Sequence, residues 1–176
     1  MGTKVNIFKE YMNSVFFETG SYFGDSIQFA IDAGFEEIYS IELSQYYYDY
    51  CINRFKSTNN VKVILGDSCE KLYDNIKDID TNITFWLDGH YSCGNTALGK
   101  YWTPLLQELD QIQQHHIKTH TILIDDMHFW TDEYIDKHGF NQNDIINKIY
   151  EINPNYKITY IDGAVENDIL VCEMKK

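Results

Sequence analysis

The sequence predicts an α/β fold, a doubly wound sheet of seven strands that is mostly parallel and ends in an antiparallel hairpin. Three observations predict it. Short apolar runs alternate along the chain with longer amphipathic ones, the pattern of strands joined by crossover helices. Acids stand at or just past the ends of the apolar runs, at Glu18, Glu42, Asp67, Asp88 and Asp125. The last two runs are separated only by 162–167, too short for a helix, so they must pair antiparallel.

The elements follow in order. Strand 1 is expected at 14–18, and a helix at 24–34, where Gly34 suits the left-handed C-cap. Strand 2 is 37–42, and Ser44 is placed to cap a helix running to Phe55. Strand 3 is 61–66, with Asp67 or Ser68 capping the next helix. Strand 4 is 83–88, followed by a long loop from Gly89 to Tyr101 and a helix over 104–116, whose Pro104 fits a first turn. Strand 5 is 121–125, and a second long loop covers 127–140. A helix begins at Asn143 or Asn141 and ends near Ile152, before strands at 156–161 and 168–173. No internal repeat, linker or low-complexity segment interrupts this series, so 176 residues read as one domain with a sizeable core.

Composition narrows the class. With 44% hydrophobic residues the chain is globular, not disordered. A net charge of −13, with 14 scattered lysines and arginines, argues against nucleic-acid backbones and anionic membranes as partners. The four cysteines, at 51, 69, 93 and 172, form no CxxC pair, which suits reduced thiols in the cytoplasm. No apolar run reaches the roughly 18 residues of a membrane helix. The start, Met1-Gly2-Thr3-Lys4, has neither a secretory leader nor the Ser/Thr of a myristoylation signal.

In open α/β sheets the ligand lies outside the carboxyl ends of the strands, where these acids sit. Three acids at three successive strand ends suggest a nucleoside-bearing ligand. The series Glu18-x-Gly20-x-x-x-Gly24, Glu42, Gly66-Asp67-Ser68 and Asp88, with the closing hairpin, resembles the class I S-adenosylmethionine-dependent methyltransferases, a Rossmann-like fold. The resemblance runs from Val15 to Glu173. It implies that Gly20 and Gly24 let the backbone approach the methionine part of the cofactor. It further implies that Glu42 accepts both ribose hydroxyls and that Asp67 meets the adenine amino group. Glu18, Thr19, Ser21, Ser26, Leu43 and Ser68 complete the cofactor set that the resemblance implies. The first motif departs from the commonest form, with Gly20-Ser21-Tyr22-Phe23-Gly24 in place of alternating glycines.

A narrower resemblance concerns Leu87-Asp88-Gly89-His90-Tyr91 and Ile124-Asp125-Asp126, which look like the metal site of the cation-dependent O-methyltransferases of the catechol and macrocin types. It implies Mg²⁺ held by Asp88, Asp125 and Asp126. Such an ion takes carboxylates and waters, lowers a hydroxyl pKa and aligns the oxygen. Asp88 is then an active-site acid, and His90, two residues on, the candidate base for the acceptor hydroxyl; His128 is a lesser candidate. The implied acceptor is a small hydroxylated molecule, a sugar of a glycan or a natural product. Where the catechol type carries a lysine, this chain has Tyr91, and only about 14 residues precede strand 1. The lid is therefore expected from loops 89–101 and 127–140 or from a partner subunit in a homodimer.

Other features have plainer readings. His115, His116 and His120 straddle a helix end and a strand start and are not expected to bind metal. Cys93 has no flanking base and reads as a bystander. Trp86 falls inside strand 4 and belongs to the core. The run Tyr46-Tyr47-Tyr48-Asp49-Tyr50 points around a helix, so one face covers the sheet. Tyr91, Tyr101, Trp102, Phe129 and Trp130 sit on loops above the strand ends, where they wall an acceptor pocket or anchor the loops. Two rival readings remain, a nicotinamide-dependent oxidoreductase and a non-catalytic cofactor- or partner-binding member of the fold.

Overall fold

A computed structural model gives the fold and describes residues 4–174. The reading of Met1–Thr3 as lacking a leader lies outside the described residues. The elements are α1 (Lys4–Glu10), β1 (Val15–Thr19), α2 (Asp25–Ala33), β2 (Glu37–Glu42), α3 (Gln45–Arg54), β3 (Val61–Leu65) and α4 (Ser68–Ile76). Then come β4 (Ile83–Leu87), α5 (Leu105–Gln114), β5 (Thr121–Ile124), a short α6 (Ile135–His138), α7 (Gln142–Ile152), β6 (Tyr156–Ile161) and β7 (Ile169–Met174). They form one seven-stranded sheet in the order β3-β2-β1-β4-β5-β7-β6. β1 to β5 are parallel, and β7 joins both β5 and β6 antiparallel.

The expected sheet is the observed one, because its central strands are buried on both faces. Alternate residues feed two cores. Val15 and Phe17 of β1, Phe85 of β4, and Ile122 and Ile124 of β5 pack with α4, α5 and α7. Phe16, Trp86 and Leu123 point the other way and pack with α1, α2 and α3. Trp86 is fully buried, as expected. In α3 only Tyr47 and Cys51 are buried, while Tyr46 and Tyr50 face solvent.

Local signals set most boundaries. Gly34 ends α2 at φ 103°, its N–H reaching Ala30 and Ile31 carbonyls. Asn141, not Asn143, starts α7 with a reciprocal capping box to Asp144. Asp67, not Ser68, caps α4, accepting from Cys69 N. Ser44 occupies the N-cap of α3 but makes no side-chain cap bond. Its N–H instead donates to Glu42, so the turn is held by the acid before it.

Two segments differ from expectation. The loop 127–140 contains 3₁₀ turns at Met127–Phe129 and Asp132–Tyr134 and the four-residue α6. Helix α1 was not expected. Its seven residues are too few to show a period or to hold a helix alone. It exists because Phe8 is fully buried against Phe16 and Trp86, with ring centroids 4.8 and 5.1 Å away. Among the described residues no helix is long and apolar enough to cross a membrane.

Candidate active site

Parallel register places the strand ends in one row: Thr19 pairs with Ile41 and Leu87, Glu42 with Leu65, and Leu87 with Ile124. Gly20, Glu42, Asp67, Asp88 and Asp125 therefore meet along one edge. The chain reverses its direction of travel between β1 and β4, the point at which such sheets open a crevice. A cavity of about 670 Å³ lies there, within the size range of small-molecule sites. Gly20, Glu42, Leu43, Asp67, Ser68, Asp88, His90, Asp125 and Asp126 all line it.

Its floor requires glycine. Gly20 has φ +85°, and a Cβ there would stand 2.6 Å from the Asp88 carbonyl oxygen. At one end Glu42 is nearly buried and receives Tyr22 N–H on Oε2 at 2.8 Å and Ser44 N–H on Oε1 at 2.7 Å. Burial pushes its pKa up, and those backbone donors oppose the shift. Glu42 lines the cavity between these donors. Asp67 Oδ1 caps α4, while Oδ2 faces Gly99 and the Lys100 N–H at 3.4 Å, so loop 89–101 folds over this end. Tyr22 (φ 48°) and Asp126 (φ 59°), both lining the cavity, hold left-handed backbone.

At the other end acids and imidazoles alternate. His90 Nδ1 lies 3.6 Å from Asp88 Oδ1, and its Nε2 lies 3.4 Å from Asp126 Oδ2 and 3.1 Å from Ser92 Oγ. Burial lowers the His90 pKa, so the ring is neutral near pH 7. Burial, reinforced by Asp125, raises Asp88 well above the usual carboxylate range. The same causes bring Asp126 to about 6. Beyond Asp126, His128 Nδ1 pairs with the buried Asp168 at 2.5 Å, which also accepts Ala164 N–H. Tyr91, Tyr101 and Trp102 line this part of the cavity; Phe129 and Trp130 do not, and Trp130 packs in the core.

Five sequence-derived candidates lie away from the cavity lining: Glu18, Thr19, Ser21, Gly24 and Ser26. Glu18 is fully buried and accepts Ser40 Oγ–H on Oε1 at 2.7 Å, with Ser21 hydrogen-bonded to the same serine. Burial raises its carboxyl to about 8, and Oε2 has no hydrogen-bond partner among the described residues. Gly24 makes room for α3, since a Cβ there would sit 2.6 Å from Phe55. Ser26 is half-buried on α2.

Lys4 was the residue the sequence did not reveal. From the unexpected α1 it lines the cavity and donates to Asp125 Oδ2 at 2.8 Å, with its ammonium 4.5 Å from the Trp86 ring. Burial opposes its charge, but Asp125, Asp88 and Asp126 outweigh that and raise its pKa. The cover of the site therefore includes α1 and the expected loop 89–101, whereas no described residue of the other expected loop, 127–140, lines the cavity.

His115 and His120, which were not expected to bind metal, are hydrogen-bonded to each other. They are buried and joined at 3.0 Å, with Ile76 O and Ile83 N completing their bonds.

No family model matches the chain, and none of the curated proteins does. Solved structures do. The O-methyltransferase TomG of Streptomyces achromogenes, involved in tomaymycin synthesis and solved with S-adenosylmethionine, superposes with a TM-score of 0.68 at 10% identity, over 98% of this chain and 78% of that one. An O-methyltransferase of Bacillus cereus in complex with S-adenosylhomocysteine gives 0.65 at 12%, over 97% and 78%. An rRNA methylase of Streptococcus thermophilus gives 0.61 at 12%, over 98% and 95%. The fold is thus the one these methyltransferases share.

The cavity has a glycine floor at Gly20, a carboxylate at Glu42 and a second polar end at Asp67 under loop 89–101, a lining that S-adenosylmethionine would fit. The three-carboxylate Mg²⁺ site does not fit as disposed. Asp125 Oδ1 accepts Asp126 N–H at 3.0 Å, and Oδ2 holds Lys4. Among the described residues, ligand atoms converge within 4.8 Å in two other groups, Asp88 with His90 and Asp126, and Asp126 with His128 and Asp168.

Proposed function

We propose that the protein is an S-adenosylmethionine-dependent methyltransferase acting on a hydroxyl oxygen of a small molecule, a sugar or a natural product. The observation that carries this is the single cavity edge that runs from Glu42 and Asp67 to His90, with Gly20 as its floor. When bound, the cofactor supplies a sulfonium methyl for one in-line displacement by an oxygen nucleophile. Glu42 accepts the ribose hydroxyls and Asp67 the adenine amino group, while Leu43 and Ser68 line their flanks. Glu18, Thr19, Ser21, Gly24 and Ser26 shape the turn from beneath. His90 Nδ1, beyond hydrogen-bond range of Asp88, takes the acceptor proton. Asp88 and Asp126 flank the imidazolium so formed. Tyr91, Tyr101 and Trp102 exclude water and wall the acceptor. Mg²⁺ has no part in this reading, because Asp125 is engaged by Lys4 and by the Asp126 N–H. Four free thiols and the acidic surface suit a single-domain cytoplasmic enzyme without nucleic-acid or membrane partners, and a homodimer is compatible with it.

The experiment is a panel of hydroxylated acceptors incubated with methyl-labelled cofactor. Label should enter sugar or phenol hydroxyls and give S-adenosylhomocysteine in equal amount. Label transfer to none of them, with the cofactor bound, would favour a non-catalytic member of the fold.

A further inference from the structure

We propose that Lys4 is the resident cation of the acidic cluster, standing where a divalent metal ion would otherwise be held. Asp88, Asp125 and Asp126 stand at or just past neighbouring strand ends and line one cavity, and so much negative charge calls for a positive partner. Lys4 supplies it. Its ammonium donates to Asp125 at 2.8 Å and rests on the face of Trp86. Both Asp125 oxygens are then engaged, one by Lys4 and one by the Asp126 N–H. An ion seeking Asp125 must displace a charge-assisted hydrogen bond, and Mg²⁺ sheds its own waters reluctantly.

The placement of Lys4 is built, not incidental. The far end of α1 is pinned to the sheet: Tyr11 O accepts Thr84 Oγ–H at 2.8 Å, and Asn13 binds both Thr84 and Thr121. Phe8, fully buried between Phe16 and Trp86, fixes the face of the helix that carries Lys4 one turn earlier. The chain thereby carries its own counter-charge on a helix clamped at two places. This goes beyond the methyltransferase reading and concerns the cluster itself, so it can fail while that reading stands.

The test uses the ligand-free protein and the metal alone. Mn²⁺, read by its electron paramagnetic signal, is titrated into wild type, Lys4→Met and Lys4→Arg. Lys4→Met keeps the stem over Trp86 and removes the charge. It should gain one saturable Mn²⁺ site at least about tenfold tighter than any in wild type, the scale set by losing a competing charge-assisted bond. Lys4→Arg should stay like wild type. Adding Asp125→Asn to Lys4→Met should abolish the new site. Wild type binding Mn²⁺ as tightly as Lys4→Met, or Lys4→Met binding none while correctly folded by circular dichroism, would overturn the proposal.

Discussion

Replacing Gly20 by alanine tests the floor of the cavity, and its cost can be worked from two observations. The first is conformational. Gly20 holds φ +85°, where an L-residue costs roughly 1–2 kcal/mol. The second is steric. The new Cβ would stand 2.6 Å from the Asp88 carbonyl oxygen and 3.2 Å from Gly89 Cα. The oxygen contact is roughly 0.9 Å short of the ~3.5 Å at which non-bonded atoms rest, and backbone atoms cannot swing aside. Together these cost about 3 kcal/mol, or roughly 6–12 °C in Tm for a chain of this length. The displaced segment, Asp88–Gly89, is cavity wall, so affinity for S-adenosylhomocysteine should fall by about tenfold or more. Gly34→Ala is the control. It shares the left-handed backbone at φ +103°, but its Cβ meets nothing within 4 Å. It should lose only the conformational part and leave affinity unchanged. Calorimetric titration and thermal melts of both variants decide the matter. Equal affinity in Gly20→Ala and wild type, or equal loss in Gly34→Ala, refutes the reasoning.

Three further outcomes are expected. Glu42→Gln leaves one of two backbone donors facing an amide N–H. It should weaken S-adenosylhomocysteine by roughly 10–100-fold in isothermal titration, through one lost charge-assisted bond of about 1.5–3 kcal/mol. His90→Asn should lower kcat by roughly 10²–10⁴ while the affinity for S-adenosylhomocysteine holds, once an acceptor is in hand. Glu18 stays protonated in the fold up to about pH 8, against an ordinary value of 4.5, so raising the pH ionises the unfolded chain first and stability falls across that window. Glu18→Gln removes this pH dependence, so its stability relative to wild type should rise by about 2–4 kcal/mol from pH 5 to pH 8, read from urea midpoints.

The sheet was legible because its signals are local and repeated. Two-sided apolar runs such as Ile83–Leu87 admit few alternatives in a chain that alternates with helices, and the 162–167 connection forces the hairpin. Glu42, Asp67, Asp88, His90, Asp125 and Asp126 do lie on one cavity, because strand ends in parallel register share an edge. What could not be read depends on contacts far apart in sequence. Lys4 reaches Asp125 across 121 positions from a helix held only by tertiary packing. Asp168 reaches His128 across 40, and nothing in either segment signals the pairing. Glu18 shows the converse. An acid at a strand end reads as a ligand contact, yet the side chain turns inward to Ser40. Strand periodicity gives the face, but the long-range contact with Ser40 of β2, 22 positions on, decides that this acid belongs to the core.

The central claim is that the crevice is built for a sulfonium nucleoside, and calorimetric titration of wild-type protein with S-adenosylhomocysteine tests it most directly, with NAD⁺ titrated in parallel. The account predicts one site per chain, of about micromolar affinity, and no saturable heat with NAD⁺. Saturable binding of NAD⁺ with none of S-adenosylhomocysteine would contradict it.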